Sequence, residues 1–270
     1  MNALDLQLRE MRRLDELALQ DTPIHRLNAT AKLITTLLYL LVVTSFDRYE
    51  VTRLFPLILY PVFLISLGNL RVSQMAGRIA VILPLILFIG LFNPLFDRTP
   101  MLQIGSHVLS GGWVSFISIT IRSLLAIFAA LALIATTGID SICAALLRLG
   151  LPRVLVVQLL FMYRYLYILV DETASILKAY SLRSPNLGGL HFRVWGSLLG
   201  QLLLRTLDRS QRIYQAMLCR GFDGNLHLSR SKVWTSVDSF YVISWLLFFG
   251  CVRLFDLPLL LGNILTGAFH

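Results

Sequence analysis

The sequence predicts an all-α integral membrane protein, with about five transmembrane helices and a cytoplasmic layer of three amphipathic helices. Three observations predict it. Apolar residues make up 56% of the 270 and charged residues only 14%, with a mean hydropathy of +0.72, whereas a soluble domain carries about 25% charged residues. The apolar residues gather into runs of membrane-crossing length. The basic residues gather in one long stretch between the fourth and fifth of those runs.

Crossing about 30 Å of hydrocarbon takes about 17 to 25 mainly apolar helical residues. Five segments meet this: Ala29 to Phe46, Leu54 to Leu70, Ile79 to Phe96, Trp113 to Thr137 and Val237 to Phe255. Pro56, Pro61 and Pro84 lie in or near them and predict kinks, with neighbouring helices re-satisfying the freed backbone groups. Ahead of the first span, the N-terminal 28 residues alternate charge and Leu, without the basic patch and apolar block of a cleaved signal.

Between Gly138 and Val237, 12 Lys and Arg stand against 5 acids, a net +7 of the chain's +9. A basic excess can mark a nucleic-acid binder. Here its place beside membrane spans reads instead as the cytoplasmic bias of Lys and Arg next to anionic lipid, and no nucleic-acid partner is expected. The same bias puts the N-terminus inside and the end of the fifth span outside. Three helices are predicted in the stretch: Ile139 to Leu149, closed by Gly150 and Pro152; Val154 to Leu182; and Arg193 to Cys219. Their apolar positions recur at steps of three and four with Arg or Gln on the other face, the pattern of helices half in protein or lipid and half in water. A competing reading makes Leu151 to Val170 and Val194 to Leu207 further spans, at a cost of about 2.5 to 3.5 kcal/mol for each Arg placed in hydrocarbon.

The chain matches itself at an offset of 37, pairing Asp171 with Asp208, Ile176 with Ile213, Ala179 with Ala216, Arg183 with Arg220 and Ser184 with Gly221. The shared pattern is D-x4-I-x2-A-x3-R-[SG]. Ala and Arg four apart share one helix face, the small residue leaving room for a close neighbour beside the guanidinium. Both copies then stop. Pro185 biases Ser184 out of helical geometry, and Gly221 supplies a C-terminal glycine before Phe222-Asp223-Gly224. One account is that each Arg complements a helix macrodipole, contributing about 0.3 to 1 kcal/mol. The other is a paired docking surface, since a guanidinium fork suits carboxylates and carbonyls in a partner's groove.

These features resemble the transmembrane T component of energy-coupling factor (ECF) transporters, of the CbiQ kind found in cobalt importers, over nearly the whole chain. His25-Arg26-Leu27-Asn28-Ala29-Thr30-Ala31-Lys32-Leu33 is similar to the family's H-x-L-D-P-R-x-K-L, with Asn28, Ala29 and Thr30 departing from it. Arg164-Tyr165-Leu166 with Asp171-Glu172 looks like its RY...DE helix, and Gln215 to Gly224 looks like its strongest block. The resemblance implies two docking motifs, Leu182-Arg183-Ser184 and Cys219-Arg220-Gly221, each seated in a groove of one ATPase subunit; neither keeps the family's Ala. Ala179, Ala216, Asp171 and Asp208 would support them. It further implies ATP-binding cassette ATPase subunits in two copies, a substrate-binding membrane S component, cobalt or nickel as cargo, and a multi-pass place in the bacterial inner membrane. Residues 1–137 would then hold the N-terminal segment and four spans, 138–236 the coupling helices, and 237–270 the last span and C-terminus.

Other chemistries find no support in the residues. Cys143, Cys219 and Cys251 lack ligand spacing, and His25, His107, His191, His227 and His270 form no pair at three or four residues, so no metal site is expected. Gly111-Gly112 and Gly188-Gly189 are not followed by a GxxxxGK[ST] loop, so the chain cannot hydrolyse ATP alone and ATP belongs to the partner subunits. A membrane enzyme would need HExxH, GxSxG or clustered carboxylates. A channel or stand-alone carrier would place acids in the spans or show inverted repeats. Arg122, well inside the fourth span, is open to a functional reading or to pairing within the bundle.

Overall fold

A computed structural model of the chain describes residues 18, 20–47, 49–70, 72–96, 100–104, 107–183, 192–224 and 233–255. The described helices are α1 (Pro23–Arg26), α2 (Ala29–Ser45), α3 (Leu59–Leu67), α4 (Val72–Phe96), α5 (Gly111–Thr137), α6 (Ile139–Arg148), α7 (Arg153–Arg183), α8 (Phe192–Cys219) and α9 (Ser236–Leu254). A 3-10 helix, Thr52–Ile58, leads into α3. The protein is thus an α-helical, multi-pass membrane protein. The one departure among the described residues is a short antiparallel hairpin, β1 (Pro100–Ile104) with β2 (His107–Ser110), pairing Leu102 with Leu109 and Ile104 with His107 where a plain connection was predicted.

By length and composition four helical segments can cross a membrane: Met75–Pro94, Gly111–Thr137, Arg153–Arg183 and Ser236–Leu254. Two of the five predicted spans are shorter apolar helices, Ala29–Ser45 and Thr52–Leu67. In the second of these, Pro56 sits inside the 3-10 helix, so the backbone tightens before it becomes α-helical. Conversely α7, predicted to lie in the cytoplasmic layer, has the length and composition of a span. Its apolar first half outweighs Arg153 and Arg164, and its acids begin only at Asp171.

The chain forms two compact units. One comprises residues 15–138 and 231–270, the other residues 1–14 and 139–230. In the first, α5 packs against α2, α3 and α4, and α2 packs against α9. Its centre is aromatic. Tyr60 stands edge-on to Trp245 and Phe249, with centroids 4.9 and 5.5 Å apart, and Tyr39 lies 4.6 Å from Tyr60. The phenols are satisfied internally, as a membrane interior demands: Tyr39 Oη donates to the Leu57 carbonyl at 3.1 Å, and Tyr60 Oη bonds Thr36 Oγ1 at 2.7 Å. Close approach of α4 and α5 rests on Gly90, where a Cβ would come within 2.8 Å of the Phe116 ring.

Arg122 has a structural place in this unit. Its guanidinium donates to the Phe46 carbonyl at 2.6 Å and to the Asp47 carbonyl, closing the C-terminal end of α2, whose last carbonyls have no intrahelical partner. Of its two readings, the hydrogen bonds support pairing within the bundle.

In the second unit, α6 packs on α7 through Cys143, Val156 and Leu160. Burial pushes the Cys143 thiol above its ordinary range, with Asp140 adding to the shift. Among the described residues, three helices end on the same hydrogen-bond pattern, in which the residue after a left-handed position bonds back to close the turn. At α3 the left-handed residue is Asn69, and Leu70 N donates to the Ile65 carbonyl; at α6 it is Gly150, and Leu151 N donates to Leu146. The third is α8.

Candidate functional site

The two copies of the internal repeat occupy the C-terminal halves of α7 and α8. On α7, Asp171 and Ala179 are exposed, Ile176 is buried against the rest of the unit, Leu182 is 73% exposed and Arg183 is the final helical residue, also exposed. Ser184, with Pro185 after it, lies outside the described residues. On α8, Asp208, Ala216 and Cys219 are exposed, and Arg220 follows the last helical residue.

The end of α8 is tightly built. Gly221 has φ +78°, its N–H donates to the Leu218 carbonyl at 3.0 Å, and Phe222 N donates to the Met217 carbonyl at 3.0 Å. A glycine adopts that backbone without the strain a Cβ would meet. The turn therefore holds Arg220 at a defined point with its side chain in solvent. Among the described residues neither Arg183 nor Arg220 has an ion-pair partner, and the structure joins them to no common group.

What does join the helices is a bridge between Arg205 Nη1 and Glu172 Oε1 at 2.5 Å. Glu172, matched in the sequence to the family's RY...DE helix, is a cross-link between α7 and α8. Only the placement of an Arg 33 positions away reveals it. Beside the bridge runs a groove of about 610 Å³, floored by Phe161, Ile168 and Leu169 of α7 and by Ile213, Met217 and Phe222. Further along α8, Leu199, Leu203 and Leu207 recur every four residues and are exposed. The site thus combines two cationic helix tips with an uncovered apolar surface. Among the described residues no group of three or more His, Cys, Asp or Glu could hold a metal ion.

A bundle of apolar helices joined in sequence to arginine-tipped helices defines a multi-pass membrane protein with an exposed cationic and apolar surface. Residues 20–231 match the model of the cobalt transport protein family CbiQ, and the chain belongs to that family. Over 238 residues it is 29% identical to the energy-coupling factor transporter transmembrane protein EcfT of Bacillus subtilis, covering 82% of this chain and 89% of that one. It is 33% identical over 112 residues to the cobalt transport protein CbiQ of Salmonella typhimurium, covering 40% and 48%. An uncharacterised protein of Methanocaldococcus jannaschii is 24% identical over 178 residues, and the chain spans 61% of its length.

Proposed function

We propose that this chain couples two ATP-binding cassette ATPase subunits to a substrate-binding membrane S component, in an importer of cobalt or nickel ions. It is itself non-catalytic and carries no cofactor; ATP is bound by the partner subunits. The observation that carries the reading is the pair of helix ends, α7 finishing on exposed Arg183 and α8 closed by Gly221 around exposed Arg220. Each arginine seats in a separate ATPase groove, with Leu182 and Cys219 packing beside it. The groove between α7 and α8 suits an apolar helix of the S component. Cobalt as cargo is supported by the family's description and by the name of the Salmonella relative.

Size of effect separates docking from dipole complementation. Loss of one partner from a buried, hydrogen-bonded charge contact costs about 2 to 5 kcal/mol, about 30- to several-thousand-fold in affinity. Complementing a macrodipole contributes under about 1 kcal/mol. The double variant Arg183→Ala/Arg220→Ala should insert normally, lose its ATPases on purification and stop transporting. Normal copurification and transport would leave both arginines as ordinary helix ends.

The reading also places residues 138–236 in the cytoplasm, α7 included, because the basic excess lies there. Cys219, exposed at the tip of α8, reports on this. A membrane-impermeant maleimide should label it in inside-out vesicles and not in intact cells; labelling in intact cells would reverse the topology.

A further inference from the structure

Two charged side chains of the first unit are almost fully withdrawn from solvent, Lys32 and Asp238, each 2% exposed. Burying a charge is expensive unless it is bonded on all sides, so groups of this kind are held for a reason other than bulk stability. Lys32 Nζ donates to the Thr136 carbonyl at 2.7 Å, which lies in the last turn of α5. Asp238 accepts from Asn28 N through Oδ1, and from Thr235 N and Thr235 Oγ1 through Oδ2, each at 2.8 Å. Asn28 in turn caps α2, its Oδ1 accepting from Thr30 N at 2.9 Å. One turn of α2 and one carboxylate of α9 therefore hold together the start of α2, the end of α5 and the start of α9.

The position of this cluster along the chain is what gives it meaning. The chain leaves the first unit at Gly138 and returns at Ser231. Gly138 is two residues past the carbonyl that Lys32 grips, and its φ of +74° ends the helical geometry of α5. Ser231 is four residues before Thr235, which Asp238 grips. Both covalent routes from the coupling helices into the bundle thus pass through the same buried polar node.

We propose that Asn28, Lys32, Thr136 and Asp238 form a clamp that fixes both crossings, so that displacement of the coupling helices is passed to α2, α5 and α9 together instead of being absorbed by fraying of α5 or α9. Lys32 and Asp238 are positioning residues for transport. The inference rests on the coupling role proposed above. A clamp fits the chemistry because a buried charge network has few alternative arrangements, whereas an apolar contact slides at little cost.

The test uses the assembled transporter with its ATPases and S component, reconstituted in vesicles. Lys32→Met keeps the apolar stem and removes the donor; Asp238→Asn keeps the shape and removes the charge. Both variants should insert, copurify with ATPases at the normal ratio and hydrolyse ATP, while cobalt accumulated per ATP hydrolysed falls about 2- to 30-fold, the range for residues that carry coupling. An unchanged transport-to-hydrolysis ratio in both variants would overturn the clamp. Failure of both to accumulate in the membrane would overturn it too, making the cluster a folding determinant only. Failure of the wild-type chain to hold ATPases would instead strike the docking reading, so the two are told apart.

Discussion

The two units solve the same apolar composition in opposite ways. The 15–138 and 231–270 unit has a buried centre, with Tyr39, Tyr60, Leu54, Leu57 and Leu64 fully buried and ring packed on ring, while Val81, Phe88, Phe240 and Leu247 face outward as lipid-facing side chains do. In the unit holding 139–230, α7 buries only Val156, Leu160 and Ile176 of 31 residues, and α8 buries none of its described side chains. Helices that leave Leu182, Leu203 and Leu207 in the open and bury so little are not completed by their own chain. The contrast teaches that the first unit carries its own stability, while the second is a surface awaiting partners.

Substitution in the bundle core should break that contrast most strongly. Phe249, 2% exposed and in contact with both Tyr39 and Tyr60, should cost about 3 to 5 kcal/mol when changed to Ala, because the cavity cannot collapse between fixed helices. Thermal unfolding of the detergent-purified chain would show it as a clear loss of Tm, and an unchanged Tm would mean that the rings are not the core. Gly221→Ala lies next in size. Forcing a Cβ at φ +78° costs about 1 to 2 kcal/mol, felt at the end of α8 alone. ATPase copurification should weaken while the bundle's Tm holds; a fall in Tm with intact copurification would invert the assignment of roles.

Smallest should be Glu172→Gln. The bridge to Arg205 is partly solvated, its side chains 26% and 57% exposed, so its loss is worth about 0.2 to 1 kcal/mol. Hydrogen exchange should quicken in the middle of α7 and α8 without change in α2 or α9. Faster exchange spreading into the bundle helices would show that the bridge steadies more than α7 and α8.

Much of this molecule was legible because membrane spans and amphipathic helices write their period and length directly into composition. Helix ends were legible too where glycine or proline enforces them, as at Gly150 and Gly221, since only a few residues tolerate those backbones. The offset-37 repeat marked where α8 finishes, at Cys219 next to Arg220. Asn28 departs from the family's acidic residue and still caps α2, because Asn and Asp accept the same amide bond.

Pairing over long separations was not legible. Lys32 meets a backbone carbonyl 104 residues away, and Asn28 meets Asp238 at a separation of 210. A carbonyl carries no side-chain signature, so nothing in the letters marks Thr136 as a partner, nor Phe46 as the group that Arg122 closes. Likewise the sequence determined that Glu172 and Arg205 are charged, but only the packing of α7 on α8 decided that they meet. The division has a physical cause: periodicity, capping and hydrophobic length are local free energies, readable over a few turns of helix. Which buried donor finds which acceptor depends on how the helices close around one another.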